Sequence, residues 1–264
     1  MQNNKPIKSK IDPIVLHTIP FLPSHNRKKN YKIERKWGGK TLTLRAGETL
    51  NTYDFITLLQ LTKDYVQNKS NWVIVGETLE KGKFILKRKI DISLLVKERG
   101  IKNKTANRKT IFKSILRLAG IDVNMTNKKT NDETNTKYIY ETKQETADYK
   151  SIEILANQLF LDFCAEKGLV IILDNILHYK RETTVLLDVF IQSTNWDKYN
   201  EELLFERIGL NETAANEREK RRLLKKAFKE FNKFNENKFI LTGNGWEIAI
   251  HKREIAIHKP ARNA

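Results

Sequence analysis

The chain has 264 residues, 39% hydrophobic and 31% charged, with a formal net charge of +17. Its apolar residues fall in periodic blocks, which excludes a wholly disordered chain, and its length suits about two domains of roughly 100–200 residues each. So large a cationic excess points to a polyanion, with nucleic acid ahead of an acidic membrane surface, and no stretch approaches the roughly 18 apolar residues that span a bilayer.

Residues 1–47 hold eleven Lys and Arg against two acids, Asp12 and Glu34. Met1–Lys10 is polar and basic, without a secretory apolar core, so a cytoplasmic protein is expected. Pro6, Pro13, Pro20 and Pro23 argue against a continuous helix. Further on, Tyr31/Ile33 and Leu42/Leu44 alternate with polar residues around Gly38-Gly39, a hairpin signal. This segment reads as a basic N-terminal arm that either binds phosphates or solubilises the chain.

Thr49–Asn68 is predicted helical, with Leu50, Tyr53, Phe55, Ile56, Leu59 and Tyr65 on one broad stripe, Asn51 or Thr52 as cap and Asp54 in the first turn. Residues 71–75 and 83–90 read as short strands. A helix over Ile92–Arg99 ends at Gly100, and a second, Thr105–Ala119, is closed by Gly120. Ile121–Thr126 and Lys137–Thr142 then form a predicted hairpin around the polar tip Asn127–Thr136. Residues 148–167 carry Ile152, Leu155, Ala156, Leu159, Phe160 and Phe163 at helical spacing, and 169–179 read as strand. Helices follow at Glu182–Gln192, Asn200–Arg207 and Thr213–Phe234. The last hairpin pairs Lys238–Thr242 with Trp246–Ile250 across Gly243-Asn244-Gly245.

The order helix, short helix, turn, long basic helix, hairpin thus occurs twice, over about 49–143 and 182–251, as a helix-turn-helix with a β-wing would give. Glu98-Arg99-Gly100-Ile101 faces Glu206-Arg207-Ile208-Gly209-Leu210 at the turn. The expected fold class is α+β, two tandem winged-helix domains (48–147 and 148–259) behind the arm (1–47).

A helix that enters a major groove needs one apolar face to seat it and an opposite face rich in Arg and Lys. In 213–234, Leu223, Leu224, Ala227, Phe228, Phe231 and Phe234 share one arc, and Arg218, Arg222, Lys225 and Lys229 lie opposite. Lys226 and Lys233 flank them, Arg221 sits at the boundary and Lys220 projects toward the apolar side, its stem free to snorkel. Over 105–119, Ile111, Phe112, Ile115, Leu116 and Ala119 oppose Lys113 and Arg117, with Lys109 flanking. Residues 83–117 hold twelve basic and two acidic residues. The expected contacts are therefore Arg218, Arg221, Arg222, Lys225, Lys226 and Lys229 on one helix, and Lys109, Lys113 and Arg117 on the other. Trp37 and Trp246, beside hairpin glycines, read as core packing or as platforms for an exposed base.

Signals for chemistry are lacking. Gly39-Lys40-Thr41 resembles the end of a P-loop, but Glu34 stands where its first glycine belongs. The five histidines form no metal-binding pair, and the single Cys164 can supply neither an intramolecular disulfide nor a thiolate zinc site. No cofactor, metal or enzymatic activity is expected.

Three runs, Val185-Leu-Leu-Asp-Val-Phe-Ile191, Glu202-Leu-Leu-Phe-Glu-Arg-Ile-Gly-Leu210 and Glu219-Lys-Arg-Arg-Leu-Leu-Lys-Lys-Ala-Phe-Lys-Glu-Phe231, together with the final hairpin, resemble the winged-helix replication initiators of iteron-containing plasmids. Leu50–Tyr65 matches that family's opening helix more loosely. The resemblance implies that the second unit's long helix reads repeated origin sites in double-stranded DNA. The first unit would contact the backbone and carry a homodimer interface. Monomers would open the origin and recruit the host initiator and replicative helicase, and dimers would repress the protein's own gene. A winged-helix transcription regulator is the main alternative. A DNA-processing relaxase and an RNA-binding protein are further ones.

Overall fold

The computed structural model describes residues 8–11, 29–37, 40–77, 84–127, 133–144, 148–194, 198–235, 239–242 and 247–250. In chain order its elements are β1 (Lys8–Ile11), β2 (Lys29–Trp37), β3 (Lys40–Glu48), α1 (Thr52–Gln67), β4 (Val73–Glu77), β5 (Phe84–Asp91), α2 (Ile92–Glu98), α3 (Thr105–Ala119), β6 (Ile121–Asn127) and β7 (Glu133–Lys137). There follow β8 (Ile139–Gln144), β9 (Ser151–Asn157), α4 (Gln158–Lys167), β10 (Leu169–Ile172), α5 (Leu173–His178), α6 (Glu182–Ser193), β11 (Lys198–Asn200), α7 (Glu201–Arg207), α8 (Leu210–Thr213), α9 (Glu217–Phe234), β12 (Phe239–Thr242) and β13 (Glu247–Ile250). The fold is mixed helix and sheet, α+β. No helix among the described residues is long and apolar enough to cross a membrane.

Local signals set the start of α1. Asn51 Oδ1 accepts the Tyr53 and Asp54 amides (2.9 and 3.1 Å), and the Asp54 carboxylate accepts the Asn51 amide in return (2.9 Å), a complete capping box. Nearly every face of α1 is buried, so its interior polar groups need partners. Arg99 donates to Gln60 (2.8 Å) and Thr57 (2.6 Å), Gln60 donates to the Leu95 carbonyl (3.0 Å), and Lys63 pairs with Glu98 (2.6 Å). This network locks α2 onto α1. Burial lowers the Arg99 guanidinium to about 10, still cationic at neutral pH.

Two four-stranded antiparallel sheets, in the orders β2-β3-β6-β7 and β4-β5-β9-β8, pack against α2, α3 and α4. In the first, Leu44 opposes Val123 and Ala46 opposes Ile121, and all four are buried on one face. The hairpin predicted between Ile121–Thr126 and Lys137–Thr142 is replaced: β6 pairs with β7, drawn from the supposed polar tip. Tyr138 and Ile139 are both buried, Tyr138 stacks on Phe160 (4.0 Å), and the chain there crosses into the second sheet. Consecutive buried residues mark a crossover, because a strand alternates its faces.

The predicted helix over 148–167 is a strand followed by a helix. Ile152, Ile154 and Ala156 are buried with Glu153 and Leu155 half-exposed, and β9 has partners on both sides, β5 and β8. Residues 152, 155 and 156 suit a helix while 152, 154 and 156 suit a strand, and two ladders of hydrogen bonds decide for strand. Likewise 169–179 is strand only to Ile172, after which α5 buries Leu173 and Ile176. Asn200, the predicted start of the helix Asn200–Arg207, belongs to β11 and caps α7.

The N-terminal segment is woven into the fold. β1 pairs antiparallel with β10, and β2 and β3 share a sheet with β6. Most of the remainder of residues 1–47 lies outside the described residues, as do Trp246 and the side chain of Trp37.

The repeated order holds at element level, α1-α2-α3-β6-β7 and α6-α7-α9-β12-β13, but the pairing differs. In the second unit the strand before the paired helices, β11, joins the final hairpin through β13. In the first, the corresponding strand β5 joins β9, and the hairpin β6–β7 joins β3. The two turns do match in backbone. Gly100 and Gly209 both take left-handed φ, +64° and +71°, which costs glycine nothing and a side-chain-bearing residue about 1 kcal/mol.

Candidate nucleic-acid interface

The basic helix of the second unit is shorter than predicted. Of its predicted first stretch only Thr213 is helical, as the last residue of the separate α8; residues 214–216 are not, and α9 begins where Asn216 Oδ1 accepts the Glu219 amide (3.0 Å). The seating face is as expected except at its end: Leu224, Ala227 and Phe231 are buried and Leu223 and Phe228 pack against the same core, but Phe234 is exposed, its ring edge-on to Tyr179.

Glu230, also on the buried side, ties α9 to the start of α6. Its carboxylate accepts the Lys180 and Arg181 amides (2.8 and 3.2 Å) and the Thr184 hydroxyl (2.7 Å). Burial pushes this carboxyl up, but those hydrogen bonds and the Arg181 charge outweigh it and hold the group below the usual carboxylate range. The acid thereby caps a helix whose own N-cap, Arg181, offers no side-chain bond.

The far end of α9 is held by Asn235, which donates to the Tyr179 hydroxyl (2.6 Å), and Tyr179 donates to the buried Asp188 (2.8 Å). Burial pushes Asp188 up to about 6, against the lowering effect of its bonds from Tyr179 and Gln192. A carboxyl whose folded pKa exceeds its unfolded value near ~3.9 adds stability that is full below about pH 4 and lost as pH rises through about 6. Asp188→Asn is therefore expected to raise the unfolding temperature at about pH 8 more than at about pH 4. Equal shifts at both values would mean that the buried charge is not what Asp188 costs.

The outward face of α9 is cationic. Arg218, Arg221, Arg222, Lys225, Lys226, Lys229 and Lys233 are all exposed. Among the described residues, Arg218, Lys225 and Lys229 have no hydrogen-bond or ion-pair partner. Arg221 pairs with Glu201 (3.1 Å), and Arg222 with Glu219 one turn back (2.6 Å from Nε), which lowers the Glu219 carboxyl and raises Arg222. Both arginine side chains are exposed, and ion pairs at the surface contribute little to stability. Lys220 folds back as expected, pairing with Glu217 (2.5 Å) with its ammonium 5.6 Å from the Phe205 ring centre.

On α3, Lys109 and Lys113 are exposed and Ile111, Phe112 and Ile115 buried as expected, but Leu116 is exposed, and Leu118 is buried in its stead. The turn before it also exposes Lys102 and Lys104. The excess of basic residues over 83–117 contains these two lysines, but no periodicity singles them out. Arg108 is structural. It donates to the Asp148 carbonyl (3.0 Å), Asn103 Oδ1 (2.9 Å) and Thr105 (3.0 Å), which fixes the turn to the helix.

Arg117 requires a correction. It does not extend from the outer face beside Lys113. Its guanidinium grips Asp54 through Nε (2.9 Å) and Nη2 (2.7 Å), with Glu48 at 3.6 Å, and the side chain is 10% exposed. Burial alone would lower its pKa, but the Asp54 hydrogen bond and the charges of Asp54 and Glu48 more than compensate and raise it. Arg117 joins α3 to the capped start of α1, and its guanidinium is turned to Asp54 rather than outward beside Lys113.

No protein-family model matches the chain, and no curated protein does. Solved structures do share its fold. A crystal structure of selenomethionine derivatives of domain 2 and domain 3 of RctB superposes with a TM-score of 0.63 at 15% identity, covering 91% of this chain and 98% of that one. A second, of RctB domains 2–3 (residues 155–483), gives a TM-score of 0.58 at 15% identity, with coverages of 90% and 96%. At this identity the likeness is one of fold.

Proposed function

We propose that this protein is a replication initiator that binds repeated origin sites in double-stranded DNA through two winged-helix units. The observation that carries the reading is α9, a helix seated by Leu224, Ala227 and Phe231 with Arg218, Lys225 and Lys229 exposed and unpaired opposite. RctB, whose fold the chain shares over nine-tenths of its length, is a replication initiator. In this reading α9 enters the major groove, and Lys109 and Lys113 on α3 hold phosphates of the adjoining segment. The steps implied by the plasmid-initiator resemblance follow from that grip: origin opening, recruitment of the host initiator and helicase, and repression of the protein's own gene.

The expected result is cooperative protection of direct repeats of about 20 base pairs, two helical turns, one for each unit. Protection confined to one palindrome would overturn the initiator reading in favour of a transcription regulator. Duplex RNA competing as well as duplex DNA would overturn both. We assign no catalysis to the chain, and nicking of supercoiled plasmid in the presence of a divalent metal would refute that.

A homodimer belongs to the same reading, and we assign it to the edge of β4. This strand pairs only with β5 among the described residues and exposes Val73, Ile74 and Val75 in succession, with one charge, Glu77, at its end. Edges are ordinarily protected by charge or proline. Two copies of β4 paired antiparallel would close both edges and keep the two Glu77 residues apart. Sedimentation that finds monomer at every concentration would sink this assignment.

A further inference from the structure

We infer that Tyr149 belongs to the DNA-contacting surface of the first unit, where it orients Lys109 and gives its own hydroxyl to a phosphate. This rests on the DNA-binding reading above.

Tyr149 lies between two pinned residues. The Asp148 carbonyl accepts Arg108 Nε on α3 (3.0 Å), and the Lys150 carbonyl accepts the Ile92 amide at the start of α2 (2.8 Å). Spanning the two places Tyr149 at φ +60°, the left-handed region that bulky side chains avoid. Glycine or asparagine would sit there with less strain, so the backbone alone does not account for an aromatic residue. Backbone strain of this kind is concentrated at functional sites.

The side chain points to the function. Its ring meets Phe112 edge-on with centres 5.1 Å apart, and the Lys109 ammonium lies 5.8 Å from its centre. Phe112 is on the buried arc of α3 and Lys109 on the exposed one, so the ring lies along the flank of the helix, half-exposed. Among the described residues none hydrogen-bonds the hydroxyl. A cation held over an aromatic face samples fewer rotamers, so less freedom is lost when it meets a phosphate. A tyrosine hydroxyl beside it is itself a common phosphate donor.

The test uses the full chain and a random-sequence duplex of about 40 base pairs at low salt, since phosphate contacts do not depend on sequence. Tyr149→Phe keeps the ring and is expected to weaken binding about fivefold, the loss of one hydrogen bond, with an unchanged unfolding temperature. Lys109→Ala is expected to flatten the salt slope by about one, and its effect on affinity should shrink when Tyr149→Leu is already present, because the ring no longer guides the ammonium. Wild-type affinity in Tyr149→Phe, together with an equal cost of Lys109→Ala in both backgrounds, would reduce Tyr149 to a packing residue. A wild-type chain that retains no duplex would instead remove the DNA-binding reading itself.

Discussion

Arg117→Ala is expected to destabilise the fold by about 3–5 kcal/mol, because it strands the carboxylate of Asp54, which is fully buried at the foot of α1. Asp54 already accepts the Asn51 amide in the capping box, and its remaining capacity is taken by Nε and Nη2 of Arg117. An uncompensated charge in that position cannot reach water without opening the contact between α1 and α3. Calorimetry should show the unfolding temperature falling by on the order of 10 °C. The double variant Arg117→Leu with Asp54→Leu should recover part of the loss, since an apolar pair avoids the stranded charge. The variant that still folds should bind duplex with an unchanged salt slope. A slope flattened by about one, with stability intact, would instead return Arg117 to the DNA-contacting face.

The second large effect is on binding. Replacing Arg218, Lys225 and Lys229 together with alanine removes three exposed cations that have no hydrogen-bond or ion-pair partner among the described residues. Stability should stay within about 0.5 kcal/mol of the parent. Affinity for duplex should fall on the order of a hundredfold or more, and the salt slope should flatten by about three, one released counterion for each lost phosphate contact. Affinity and slope both unchanged would mean that α9 faces solvent, and the proposed function would fail with it. Loss of stability would point to a packing role that the exposure of these side chains argues against.

Much of the element order was legible because its signals are local. Asn51 with Asp54 announces a capped helix, and Gly100 a left-handed stop. Between them Thr105 and Ala119 bound α3 as predicted, and the apolar arc of α9 defines its seat from spacing alone. The cationic face of α9 was readable for the same reason: at 100° per residue, a side opposite the seat faces outward unless another element covers it.

Three features were not legible, each for a definite reason. Ile152, Leu155 and Ala156 fit a helix as well as Ile152, Ile154 and Ala156 fit a strand, and only pairing with β5 and β8 selects the strand. β6 takes β7 as its partner because Tyr138 and Ile139 are drawn into the core of the other sheet. Arg117 and Lys113 are one turn apart on α3, and no helical wheel says that the buried carboxylate of Asp54, 63 residues earlier, awaits one of them. Local signals alone marked the capped start of α1, the glycine stop after α2, the bounds of α3, the apolar side of α9, and the large positive charge that the protein carries toward some polyanion. Tertiary structure alone decided which strands pair and which cations remain free. Both depend on residues distant in the chain, and periodicity carries no information about what lies across a gap.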